Sequence, residues 1–364
     1  MTMPAITLST NEVYSALSNM ILSVQTYSDN IGHMYDKLLK EAKQEAGLYG
    51  DRVVKVAVDA LTSTAWAADS EAANLLALNR APAPNVQELL INTFRKVFVT
   101  TDDYMTKRAF GDAYAFDQFN SVVLGWLVDT RRIYETTTYD AFVGTVKSAG
   151  GAGSFQNPTA LTLPTPATTD TQLEREAIDR RTAELISQAV ANALFDLQDV
   201  RKDTNDLGFY RAYNADDLRV VWNADWYNKI KKTGLPTIYN SDGLVDKFEE
   251  YVLPSRYFGT VNSSAKTADA STYSLVEQMI STSHYFAGEK VTASQSCPAG
   301  TSYQIDPKVI CKIIHKDSIP FLTSFTASTE FFNPRSLTKN NYLIFGHNTL
   351  QALKQYPVVT IKSA

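Results

Sequence analysis

Four histidines, His33, His284, His315 and His347, are the residues of this chain best suited to moving protons or ligating a metal. No two of them stand at the spacing that brings a pair of imidazoles onto one helical face, so each reads as a surface or core histidine. Cys297 and Cys311 form a lone pair that specifies neither a bridge nor a metal site, and two free thiols are the expectation. The run Gly150–Phe155 is glycine-rich like a phosphate-cradling loop. It lacks the lysine followed by Ser or Thr, and no buried strand precedes it. There is no Gly-x-Ser-x-Gly elbow for a serine nucleophile. The adjacent carboxylates Asp102–Asp103, Asp216–Asp217 and Glu249–Glu250 sit where such pairs flank caps and turns. Phe325, Phe331 and Phe332 could stack on bases, but the chain around them is not basic, which points to core or subunit contact instead. The expectation is no catalytic residue, no cofactor and no metal.

With a formal net charge of -5 over 364 residues, the chain lacks the basic footprint that phosphate-neutralising proteins need. Sequence-specific nucleic-acid binding is therefore not expected. The first residues show no basic region followed by a sustained apolar one, so they read as something other than a secretory signal. The longest strongly apolar run, Val122–Val128, falls far short of the roughly 20 residues that span a bilayer, and no membrane partner is expected.

What must position any functional surface is a series of alternating patterns. The first thirty or so residues have no core-building periodicity and read as an arm. A short helix is predicted from Asp36 to a stop at Gly47, with Leu38, Leu39, Ala42 and Ala46 on one face. Val54, Val56 and Val58 then alternate with Lys55, Ala57 and Asp59, the two-residue period of a half-exposed strand. Pro82 and Pro84 break the chain, and a second strand is predicted over Thr93–Thr101, carrying Phe94 and Phe98. Residues 69–79 have a helical pattern. From Tyr114 to about Ser148 one long helix is predicted, its packing stripe read as Phe119, Val123, Trp126 and Ile133, with Trp126 on the buried side. The later part of that helix is rich in β-branched residues, so tertiary packing must hold it. Gly150–Thr169 reads as a linker. Thr171 and Glu174 form a capping-box pattern opening a second long helix. Strands follow at Val309–His315, Tyr342–Gly346 and Val358–Lys362.

Two stretches resemble a known family. His315–Ile361, with Asn333, Pro334 and Arg335 at a turn before an aromatic strand bearing Tyr342 and Phe345, resembles the closing segment of major capsid proteins from small, protein-primed, short-tailed phages (Picovirinae-like podophages). Pro84–Asp129 looks like the run leading into that family's long spine helix. The resemblance implies an α+β, Hong Kong 97-type capsid fold. Its parts would be an N-terminal arm and short helix over 1–48, an extended E-loop over 49–103 and a P domain with the spine helix over 104–150. An A domain would follow over 151–330, with a return to the P domain over 331–364. It further implies a major capsid protein assembling with itself, as hexamers and pentamers, into an icosahedral shell around double-stranded DNA in the virion. Assembly would take place in the host bacterial cytoplasm with a separate scaffolding protein and a portal. Val54, Val56, Val58, Phe94 and Phe98 would then be inter-subunit contacts of the E-loop. Another virion protein of the tail or portal region, or a cytosolic α/β enzyme or ligand-binding protein, remain the alternatives that composition alone leaves open.

Overall fold

The computed structural model describes residues 36–45, 47–48, 50–61, 63, 78, 80–102, 113–232, 248–275, 286–292, 296–297, 300 and 302–364; the side chains of 36, 102, 113–124, 231–232 and 296 lie outside that description. The arm expected before Asp36 and the helical reading of 69–79, apart from Leu78, fall outside the described residues.

Helix α1 spans Asp36–Ala42 and runs directly into strand β1, Lys43–Glu45. The expected continuation to Gly47 does not form. Leu38, Leu39 and Ala42 are already buried in the core, and the next three residues find backbone partners in parallel pairing with Phe321–Thr323. A third helical turn would forfeit those bonds.

Strand β2, Arg52–Ala57, and the 18-residue strand β3, Asn85–Asp102, pair antiparallel, but only through the leading part of β3, from Arg52 opposite Leu90 to Ala57 opposite Asn85. β2 does not pair with the Thr93–Thr101 part of β3. That part of β3 is instead taken by Thr338–Asn348, in register from Thr338 opposite Asp102 to His347 opposite Thr93. The reason is length: one continuous strand serves two partners in succession, which a reading of local alternation cannot distinguish from two separate strands.

Helix α2, Ala113–Thr145, is 33 residues long and matches the expected span closely. Its packing face does not match. Trp126 is 56% exposed and Ile133 is 47% exposed, while Leu127, Tyr134, Tyr139, Phe142 and Val143 are buried. The stripe is rotated by one residue, about 100° around the axis, from the one the sequence suggests. Glu135 is the cause of the misreading. It lies on the buried face, held by Lys43 at 2.7 Å and by Arg131 at 2.7 Å, so a charged residue marks the inside of this helix. The side chains of Phe119 and Val123 are outside the described residues. The threonine-rich half of α2 is almost wholly buried, as its poor intrinsic helicity demands. Thr137 donates back to the Ile133 carbonyl and Thr145 to the Ala141 carbonyl, turning β-branched hydroxyls inward onto the helix. Gly144 permits the Tyr257 carbonyl to come so close that an added Cβ would stand 2.1 Å from it.

Helix α3, Gln172–Gln198, opens on the expected capping box, with Thr171 and Glu174 each satisfying the other's free amide. The chain from Gly150 to Thr169 is docked and does not hang free: Gln156 is buried, donating to Asp206 and accepting from the Val358 amide. The chain continues through β4 (Leu218–Asn223), α4 (Ala224–Lys232) and β5 (Glu249–Leu253). Short strands follow as β6 (Gly259–Val261), β7 (Lys266–Thr267), β8 (Thr272–Ser274), β9 (Ser296–Cys297) and β10 (Ser302–Ile305). The chain closes through β11 (Val309–His315), β12 (Phe321–Thr323), β13 (Ala327–Asn333), β14 (Thr338–Asn348) and β15 (Val358–Lys362).

Two sheets carry the architecture. A four-stranded sheet is ordered β15-β11-β4-β5, and a six-stranded one β1-β12-β14-β3-β2, with β13 also on β14. The last strand, β15, leaves β14 and pairs with β11, deep in the four-stranded sheet. Its residues Val358, Val359 and Ile361 find full burial there. α3 packs on one face of that sheet through Ile186, Val190, Leu194 and Leu197 against Leu218, Val220, Ile313 and Val359. The buried half of α2 packs on the other, through Tyr139, Phe142 and Val143 against Val221, Ile314 and Val358. The same helix half also meets the long sheet at Phe345, so α2 is the beam that joins both sheets.

Candidate interaction surface

Among the described residues, His315, His347, Cys297 and Cys311 are buried in packing, and His33 and His284 lie outside them. His347 is fully buried; its Nδ1 stands 2.7 Å from the Asn348 carbonyl and its Nε2 2.9 Å from the Tyr134 hydroxyl. A carbonyl only accepts, so Nδ1 carries the proton and Nε2 accepts from Tyr134, which in turn accepts from Arg95 Nε at 3.1 Å. Burial holds this imidazole neutral, with its pKa pushed down to about 4. His315 stacks on Tyr356 at 4.2 Å, and burial lowers its pKa as well. Cys297 and Cys311 are buried free thiols, and burial pushes both up. Among the described residues, no group of three or more His, Cys, Asp or Glu side chains could hold a metal ion, and no helix is long and apolar enough to cross a membrane.

What the chain does present is an uncovered apolar face. Along β3, burial alternates strictly: Leu89, Ile91 and Thr93 point inward, while Val86, Glu88, Phe94, Lys96 and Phe98 point out. Val86 stands opposite Val56, and Glu88 opposite Val54, so the outward residues of β2 and β3 share one face. Arg52 pairs with Glu88 at 3.0 Å at one end of it. Farther along, Phe98 lies opposite Tyr342 with ring centroids 6.1 Å apart. Phe94 lies over Gly346, where a Cβ would come within 2.9 Å of its ring. Gly346 thus lets a large ring rest on the open side of the sheet while Arg95, Val97 and Phe345 face α2.

The sequence-predicted residues therefore divide clearly. Val54, Val56, Val58, Phe94 and Phe98 are all exposed in the single chain. Trp126 and Ile133 are exposed too, the reverse of their predicted packing role. Asn333, Pro334 and Arg335 do open the turn between β13 and β14, with the Asn333 side chain accepting from the Arg335 amide at 3.1 Å. Val86 was missed, although its alternation with Glu88 and its position just past Pro84 were visible. The inner face of the ribbon was missed as well: Gln87 donates to the Ala352 carbonyl at 2.8 Å and accepts from the Lys354 amide at 3.1 Å. No local pattern marks a glutamine that acts as a strand partner.

The profile of the Phi29-like phage major capsid protein family matches residues 7–361. No curated protein matches the chain. Among solved structures, the chain is similar to one in the capsid structure of Staphylococcus phage Andhra. That match has 10% identity and a TM-score of 0.57 and covers 89% of this chain and 83% of that one. It is also similar to a chain in the structure described as head fiber and inner core protein gp22 of native bacteriophage P68. There the identity is 11% and the TM-score 0.57, covering 92% of this chain and 85% of that one. At such identities the structural matches speak for the fold alone, and the fold is the Hong Kong 97 type. A chain with an open apolar face along β3 and a family match over nearly its whole length belongs to the Phi29-like phage major capsid proteins, and is a shell-forming subunit of a bacteriophage capsid.

Proposed function

We propose that copies of this chain close into an icosahedral shell of hexamers and pentamers around double-stranded DNA, assembled in the host cytoplasm with a separate scaffolding protein and a portal. The subunit supplies contacts and carries out no reaction. In this reading the outward face of β2 and β3, with Val54, Val56, Phe94 and Phe98, and Val58 just past β2, is covered by a neighbouring copy in the shell. The observation that carries it is the exposure of Val54, Val56, Val86 and Phe98 on one face of one sheet, since single monomers rarely leave so many large apolar side chains so exposed together. The acidic balance of -5 supports a container role: a mildly negative wall repels packed phosphate weakly and avoids holding it through counterion release.

The test is sedimentation and electron microscopy of the expressed protein, alone and with the other head proteins of its phage. Closed shells are expected. Tubes, rings without curvature or a stable monomer under every condition would overturn the proposal.

A further inference from the structure

Resting on that reading, we infer that the ribbon formed by β2 and the leading part of β3 is held in one pose by a cradle of its own chain, with Asp59 as the latch at its outer end. The face carrying Val54, Val56 and Val86 is thereby presented to a neighbouring copy before assembly begins.

The geometry forms a closed circuit. Just past β2, Asp59 Oδ1 accepts from the Tyr210 amide at 2.9 Å, and the Arg211 guanidinium donates to the Val58 carbonyl. The receiving loop is braced: Arg201 and Arg211 exchange backbone hydrogen bonds at 3.1 and 3.0 Å, and the Asn205 side chain clasps both the amide and the carbonyl of Phe209. The Asp206 amide donates to the Lys354 carbonyl at 3.0 Å, and the Lys354 amide donates to Gln87. One cradle, built from 201–211 and 352–354, therefore grips the ribbon at Gln87 in its middle and at Asp59 beyond its end. Underneath, Val53 and Leu89 pack on Leu322 and Leu353.

The consequence follows from the weakness of isolated ribbons. Two strands without a core are marginal in water, and a waving ribbon would have to be ordered at the moment of docking. Ordering it beforehand within the subunit removes that cost from association. Asp59 is fitted to act as a latch because its Oδ1 accepts from both the Tyr210 amide and its neighbour's, that of Ala60 at 2.8 Å, which fixes the side chain against the loop. Because the contact is exposed, it orients the ribbon without contributing much to global stability.

The experiment compares wild type with Asp59→Ala and Asp59→Asn, with Val56→Asp alongside. The readouts are melting temperature, amide exchange over 52–57 and 85–90 in the unassembled subunit, and the critical subunit concentration for shell formation. Asp59→Ala is expected to melt like wild type, exchange faster in those two segments and need a several-fold higher concentration to assemble. Asp59→Asn keeps the acceptor oxygen and is expected to restore both properties. Unchanged exchange overturns the latch, as does an unchanged or lowered critical concentration, and so does an Asp59→Ala subunit that fails to fold. If Val56→Asp alone blocks assembly, the contact face stands and only the latch falls. If Val56→Asp assembles normally, the contact face falls and the latch with it.

Discussion

Val56 on β2 stands directly opposite Val86 on β3, and the two side chains, 57% and 55% exposed, both face away from the subunit that carries them. The neighbouring inward residues Val53 and Leu89 are packed beneath, so the ribbon has one face already spent and one still open.

Val56→Asp is therefore expected to leave the subunit folded and soluble while abolishing closed particles. The charge is harmless in water and unpaired once a neighbour covers it. Circular dichroism and sedimentation decide the point: loss of fold would place Val56 in the subunit core, and normal particles would place it on free surface.

On helix α2 the exposed and buried faces predict opposite outcomes. Trp126→Ala should change the stability of the isolated subunit by less than about 0.5 kcal/mol, as surface substitutions do. Phe142→Ala, at a side chain wrapped by Phe321 and Val143, should cost about 3–5 kcal/mol. Thermal melts of the two variants would reverse this order if the helix were rotated to the face its apolar stripe suggests.

Acid sensitivity follows from His347. Its pKa, pushed down to about 4 by burial, lies below the ordinary 6.5 of the unfolded chain. Between those values the unfolded chain binds a proton that the folded one refuses, so stability falls as pH drops from 6.5 towards 4, by up to about 1.4 kcal/mol per pH unit. His347→Gln should flatten that part of the profile. Equal slopes for wild type and variant in denaturant titrations at pH 4.5, 5.5 and 6.5 would exclude the role.

Lys312, a second buried base, gives a rise with pH at the other end of the scale. It is buried on β11, opposite Val221, and its amine donates to the carbonyls of Gly144 at 2.6 Å and Val146 at 2.8 Å, capping the end of α2. Burial pushes its pKa down to about 7 from 10.5, so between those values the unfolded chain holds a proton that the folded one releases. Stability should then rise with pH, by up to about 1.4 kcal/mol per unit. Lys312→Met should lose this rise and, by leaving two buried carbonyls without a donor, cost about 1–3 kcal/mol at neutral pH. Melts between pH 7 and 9, below the range where tyrosines of the unfolded chain ionise, compare the two slopes.

Much of this protein is set by patterns no longer than an element. The capping box at Thr171, the two-residue alternation through Val54 and Val56, the turn at Asn333–Arg335 and the strands Val309–His315 and Val358–Lys362 are local, because their backbone preferences and faces are dictated by neighbours in sequence. So is the lack of a metal-ligand spacing or nucleophile motif, and the acidic balance. Tertiary structure decided which strand pairs with which and which helix face is inside. β3 is long enough to serve β2 and β14 in succession, and the choice depends on residues some 250 positions away. Glu135 can lie inside because Lys43 and Arg131 converge on it from two elements, and Gln87 can act as a strand partner because Ala352 and Lys354 arrive beside it. Such pairings satisfy buried polar groups only after the chain has folded back on itself, so sequence-local preference carries no trace of them.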